Sequence, residues 1–272
     1  MSRVAVGIEY DGAAFHGWQR QPHANSVQET VEAALSRVAD SPVELTCAGR
    51  TDAGVHARAQ VAHFDTGADR LPRAWLLGAN SALPPEVNLR WVFPVPDQFH
   101  ARFGALRRSY RYLLLNQPTR SSLAAGRALV VYRPLDAVAM QTAANHLVGE
   151  HDFSAFRAAE CQARSPVRRI EALSVRRHDA WVCVEATANA FLHHMVRNIV
   201  GTLLAVGLGD APAKRAREQL ESRQRRTGEA TVAAHGLYLW QVDYPPEFGL
   251  PGDSAIIDSL EAAGDCSQIV LV

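Results

Sequence analysis

The chain has 272 residues, 47% of them apolar and 21% charged, enough for a sizeable buried core in one large domain or two fused halves. Its 28 basic and 28 acidic residues cancel to a formal net charge of zero, which taken alone argues against a nucleic-acid partner. No apolar run nears the roughly 20 residues that cross a bilayer, and the start, MSRVAVGIEYDG, has no basic region followed by a long apolar stretch, so the cytoplasm is the expected location.

In chain order, Val4, Val6, Ile8 and Tyr10 alternate as a half-buried strand does. Ser26-Val27-Gln28-Glu29 has the form of a capping box and opens a helix whose Val27, Val31, Ala34, Leu35 and Val38 make one apolar stripe. Val43, Leu45 and Cys47 alternate again, as does the run from Gln60 to Asp65, so Gly49 to His56 joins two strand-like segments. A second helix is expected from Pro72 to Ser81, then strands near Leu89 to Val95 and Arg108 to Leu115. Pro134-Leu135-Asp136 opens a further helix, with Ala139, Ala143 and Leu147 on one side, and begins a second half. Strands near Ile170 to Arg176 and Trp181 to Thr187 flank a tight His178-Asp179 turn as a hairpin. An apolar helix follows through Leu192, Val196, Ile199, Val200, Leu203 and Leu204, crossed by a line of His193, Arg197 and Gly201 at i, i+4 and i+8. This mixture predicts an α+β fold in which a shared sheet carries helices on one side. The expected division is 1–117 for a first half, 118–249 for a second, and 250–272 for an acidic tail whose apolar end, Ile269 to Val272, is expected to dock.

Charge is unevenly spread. From Asp243 onward there are six acids and no Lys or Arg, leaving 28 basic residues against 22 acidic ones before that point. Between Gln98 and Leu135 stand seven arginines (102, 107, 108, 111, 120, 127 and 133) and no acid, interleaved with Phe99, Phe103, Tyr110, Tyr112 and Tyr132. That stretch is the best local candidate for an RNA-facing surface, although a solvated face of an arginine-rich chain would read the same way. The four cysteines are far apart and form no C-x-x-C pair, so reduced thiols are expected rather than a zinc site or disulfides. His193 and His194 are read as successive helical positions, about 100° apart, which argues against a shared metal ion. No metal or other cofactor is expected.

The eight residues Gly49-Arg50-Thr51-Asp52-Ala53-Gly54-Val55-His56 end an apolar run with one arginine and one aspartate in a glycine-flanked turn. Such a loop on a sheet suits a lone catalytic carboxylate, though Asp-Ala-Gly is also an ordinary turn. With the following residues it reads GRTDAGVHARAQVAHF, which resembles the active-site motif of the tRNA pseudouridine synthase A family. Tyr10-Asp11-Gly12 with Gly17-Trp18-Gln19, Ser26-Val27-Gln28, Phe99 to Phe103, Tyr110-Arg111-Tyr112, Phe191 to Asn198 and Gly236 to Leu239 match the same family in order, over residues 3–249. One departure is Ala233, where the family often has proline; another is the acidic tail.

The resemblance implies two ferredoxin-like halves joined in one antiparallel sheet, an active-site cleft between them, and a homodimer acting on uridines 38, 39 and 40 of the tRNA anticodon stem-loop. Asp52 would be the catalytic carboxylate, stabilising or attacking the oxocarbenium-like sugar as glycosidase nucleophiles do. Whether it adds to the sugar or removes a ribose proton stays open. Arg50 and Arg197 are both candidates to hold it ionised, the resemblance favouring Arg197, while Arg50 would position it or hold the extruded base. Tyr110 would lie against the uracil, its hydroxyl a candidate to assist proton removal from carbon 5. His56, Arg102, Arg108 and Leu237 complete the expected substrate contacts, with His56 alternatively only finishing the turn. A non-catalytic RNA-binding module and an N-ribosyl hydrolase using the same carboxylate are the rival readings.

Overall fold

The structure, a computed structural model, describes residues 1–225 and 228–251, so nearly all of the tail and the docking expected of its end lie outside the described residues. Strand β1 (Ser2–Tyr10) turns Val4, Val6, Ile8 and Tyr10 into the main core and Ala5 to the opposite face, the period-2 pattern of its sequence. It pairs antiparallel with β3 (His56–Thr66) on one side and β4 (Val87–Val95) on the other. Helix α1 (Val27–Ala39) starts where Ser26 accepts the Glu29 N–H at 3.3 Å, and Val27, Val31, Ala34 and Leu35 are buried on its inner side. Helix α2 (Pro72–Ala82) starts on a proline and sets Trp75 edge-on to Phe64 at 5.1 Å.

The strand expected through Val43, Leu45 and Cys47 shrinks to β2 (Thr46–Cys47). Side chains of α1 capture the backbone before it: Val43 N donates to Ser36 Oγ at 2.9 Å and Leu45 N to Glu32 Oε1 at 2.8 Å. Glu32 is buried, yet Arg20 pairs with it and Gln28 donates to it at 2.9 Å, so its charge is compensated.

The second stretch contains β5 (Arg107–Asn116), β6 (Leu129–Val131), α3 (Ala137–Asn145), β7 (Gly149–Asp152), β8 (Val167–His178), β9 (Trp181–Ala188), α4 (Met195–Gly207), α5 (Arg215–Ser222) and β10 (Leu237–Asp243). Asp136 caps α3 by accepting from Val138 N and Ala139 N, both at 2.9 Å. The expected hairpin is present as β8 and β9, with Asp179 taking a positive φ of 51° at the turn. All ten strands join one sheet, ordered β4-β1-β3-β10-β5-β9-β8-β7, with β2 beside β3 and β6 beside β5. Only the β10–β3 and β5–β6 pairs are parallel, so among the described residues the fold is α+β with a mostly antiparallel sheet and five α-helices. Strand β10 is the decisive insertion, setting Leu237 opposite Tyr112 and Leu239 opposite Tyr110 while running beside the strand that leaves the Asp52 turn. No helix among the described residues is long and apolar enough to cross a membrane.

A smaller core lies on the other face, where Phe99 packs under Tyr244 and Phe248 at 5.1 and 5.2 Å. His63, buried there, accepts the Ala101 N–H at 3.2 Å through Nδ1, and burial pushes its pKa down to about 4 from 6.5. Between those values the unfolded chain holds the extra proton, so stability falls as pH falls through this window. The expected loss by pH 4 is on the order of 2 kcal/mol. Melting curves from pH 6.5 to 4 should show it, and His63→Gln should flatten the slope; an unchanged slope in the variant would acquit His63.

Candidate functional site

The turn that carries Asp52 is held from below by residues far away in sequence. Thr51 is buried, with its hydroxyl 2.7 Å from the Tyr10 hydroxyl and its carbonyl accepting the Trp18 N–H at 3.0 Å. Val55 N donates to Asp52 O at 3.1 Å to close the turn, and Gly54 supplies the positive φ, 76°, that closure requires. Backbone approach also dictates Gly12, where a Cβ would stand 2.0 Å from Val55 O. The Gln60 side chain clamps the entrance by donating to Gly49 O at 2.6 Å and accepting Gly49 N–H at 3.4 Å. Tyr10-Asp11-Gly12 and Gly17-Trp18-Gln19 are therefore the seat of the Asp52 turn.

Asp52 keeps about a quarter of its side chain exposed, and three nitrogen-bearing side chains converge on it. Arg197 Nη1 lies 3.1 Å from Oδ2 while its Nε donates to Val232 O at 2.9 Å. His193 Nε2 stands 3.1 Å from Oδ1 and His194 Nε2 3.2 Å from Oδ2. Burial lowers the His194 pKa despite the pull of Asp52, so at neutral pH its imidazole is uncharged. The geometric argument against a shared ion at these histidines fails, because they precede the helix. Helix α4 begins at Met195, and His194 adopts a left-handed φ of 60° that turns its ring toward Asp52 instead of following the helical screw. The two histidines were visible in the motif Phe191 to Asn198; their convergence on Asp52 was not.

Tyr110 is buried on β5, edge-on to Phe191 at 5.1 Å, and a Cβ on Gly49 would come 3.6 Å from its hydroxyl. Burial raises its pKa and Asp52 raises it further, against Arg108, so the phenol stays protonated. It offers a ring face and an O–H group on the side of Gly49. Arg50 is exposed, with no hydrogen bond or ion pair among the described residues, two positions from Asp52. Leu237 is buried opposite Tyr112. His56 is also buried, its Nδ1 accepting the Gly12 N–H at 3.0 Å and its Nε2 near Gly126 O and His235 O at 3.0 and 3.1 Å, so it finishes the turn.

The seven arginines do not make one surface, because a strand sends successive side chains to opposite faces. Arg111 turns away from Tyr110 to pair with Glu185 at 3.0 Å and to cover Trp240 at 4.0 Å. Arg107 pairs with Asp243 and Arg133 with Asp210. Arg102 is exposed, its guanidinium 5.6 Å from the Phe103 ring. Arg108 is buried and meets four backbone carbonyls: Ala105 and Asn189 through Nη1 at 3.2 and 3.0 Å, Ala48 and Arg102 through Nη2 at 3.0 and 2.6 Å. It ties the strand before Asp52 to the loop before His193, and phosphate cannot reach it.

The departure at Ala233 has a simple physical content. Its φ of −55° and ψ of 151° are those of a proline, and among the described residues its N–H donates no backbone hydrogen bond. Ala233→Pro is expected to raise stability by about 0.4–1 kcal/mol by restricting the unfolded chain; a lowered melting temperature would show that the ring does not fit.

A family model described as tRNA pseudouridine synthase matches residues 7–104 and 143–245. A tRNA pseudouridine synthase A of Methylococcus capsulatus is 54% identical over 260 residues, 96% of each chain. Proteins of the same description from an Enterobacter species and from Nitrosococcus oceani are 51% and 52% identical, each covering 92% of this chain and 92% and 96% of their own. By this similarity along nearly its whole described length, the chain belongs to the tRNA pseudouridine synthase A family.

Proposed function

We propose that this protein isomerises uridine to pseudouridine in tRNA, at positions 38, 39 and 40 of the anticodon stem-loop, with Asp52 as its catalytic carboxylate. The observation that carries this reading is the Asp52–Arg197 pair at 3.1 Å, beside Tyr110, on a carboxylate still open to solvent. The reaction breaks the bond from ring nitrogen to ribose, turns the uracil, and joins carbon 5 to the same anomeric carbon; nitrogen 1 gains a proton and carbon 5 loses one. The carboxylate stabilises or attacks the positive sugar, and the Arg197 guanidinium balances its negative charge where substrate excludes water. Tyr110 lies against the extruded base, which requires the uridine to leave its stack. Arg50, exposed at the lip of the turn, helps position Asp52 or holds the extruded base, and exposed Arg102 meets the backbone of the stem-loop.

The same reading includes a homodimer working in the cytoplasm and a division into two ferredoxin-like halves. Residues 1–117 carry the Asp52 turn and lend β5 to the sheet of residues 118–249, with β10 at the seam. Residues 250–272 remain an acidic tail.

Tritium release from tRNA labelled at carbon 5 of uracil tests the reaction. Release without free uracil is the expected result. Free uracil would make the protein an N-ribosyl hydrolase, and bound tRNA without release would leave an RNA-binding module.

A further inference from the structure

The chemistry above needs one cation on Asp52, yet two imidazoles also converge there. Asp52, His193 and His194 each offer a ligand atom, and these atoms lie within 4.8 Å of one another, the one such group of three among the described residues. In a tetrahedral zinc site with bonds of about 2.0–2.2 Å, neighbouring ligand atoms stand about 3.3 Å apart. His193 Nε2 stands 3.1 Å from Oδ1 and His194 Nε2 3.2 Å from Oδ2, each close to that edge, so the ion binds through both oxygens or the carboxylate turns one of them to both rings. Backbone contacts hold the main chain that carries both rings, His193 O accepting the Ala158 N–H at 2.9 Å and His194 O the Asn198 N–H at 2.9 Å, and the two rings lie 4.1 Å apart between centroids. Neither Nδ1 makes a hydrogen bond among the described residues, so each ring can carry its proton there and free Nε2. Side-chain exposures of 40% and 27% leave the three donors reachable from solvent.

We propose that Asp52, His193 and His194 bind a divalent transition-metal ion of the zinc class, with water as the remaining ligand, and that this ion competes with RNA for the catalytic carboxylate. Two imidazole nitrogens favour zinc or cobalt over magnesium or calcium. The ion takes both rings through Nε2, each ring carrying its proton on Nδ1. Arg197 stays on Oδ2, and its charge opposes the ion, which makes the site weaker than a zinc site with no cation beside it.

The test titrates the EDTA-stripped full-length protein with Co2+ alone and reads the visible d–d bands of tetrahedral cobalt. One Co2+ per chain, displaced by Zn2+, is expected. Bands should vanish in His193→Gln and in His194→Asn, the latter chosen because asparagine tolerates the left-handed backbone. Arg197→Gln should bind the ion more tightly. Absence of bands in wild type, or bands that persist in both histidine variants, overturns the site. The competition rests on the proposed isomerase reading: Zn2+ at its own dissociation constant should double the apparent KM for tRNA, leave kcat unchanged, and be reversed by EDTA. A zinc-independent KM in protein that shows the cobalt bands overturns the competition, whereas no isomerisation even in EDTA overturns the isomerase reading and leaves the metal site standing.

Discussion

Asp52→Ala is expected to lower kcat on the order of 10⁴-fold or more, because Asp52 is the carboxylate whose charge reaches Tyr110 and which Arg197 holds toward the site. Affinity for tRNA should change by less than about threefold, since an anion does not attract phosphate and its removal leaves the exposed arginines in place. The variant also deprives Arg197 of its acceptor and removes the carboxylate that faces His193 and His194. With Asp52 a quarter exposed, water can replace it, so the stability cost is held to about 1–2 kcal/mol. Melting temperature, filter binding and tritium release on the same preparation separate these effects. A folded variant that retains turnover would remove Asp52 from the reaction.

Arg108→Ala is expected to cost about 3 kcal/mol of stability and at least tenfold in turnover. The substitution leaves the carbonyls of Ala48, Arg102, Ala105 and Asn189 without their shared donor. Two of those carbonyls lie on the segments that deliver Asp52 and His193, so the site loosens as the fold weakens. At 2–4 °C per kcal/mol for a chain of this size, the melting temperature should fall by roughly 6–12 °C. Arg108→Lys should recover little, because an ammonium cannot present the planar fork that reaches four carbonyls. The salt dependence of tRNA binding decides between this role and a phosphate contact. Loss of a phosphate contact would reduce the slope of log K against log salt by about 0.7–0.9, whereas a buried tie leaves it unchanged.

Local patterns were legible wherever neighbours in sequence are also neighbours in space. Ser26 and the stripe behind it define α1, Asp136 opens α3, and the alternation across Asp179 makes the β8–β9 hairpin; each depends on contacts within a few turns or one tight turn. Short elements escaped for the opposite reason. Strands β6 and β7 have three and four residues, and polar α5 gains its place from Ala216 and Leu220 in the core. The short β2 shows a sharper failure, where α1 side chains took the hydrogen bonds a longer strand would have used.

By itself, the order of residues determined the α+β mixture, the glycine-flanked turn that presents Asp52, and the motifs that place the chain in its family. Those properties are carried by hydrophobic period, capping chemistry and the steric freedom of glycine, all of which act within a few residues. Only the tertiary structure decided the partners. Arg197, His193 and His194 reach Asp52 across about 140 positions because β10 closes the sheet between β3 and β5 and α4 packs behind it. Arg108 became a buried tie and Arg111 a surface ion pair, although both stand in the same basic stretch, because the pleat of β5 sends one inward and the next outward. Charge composition counts arginines alike, but the face of the strand determines which carbonyl, carboxylate or solvent each one meets.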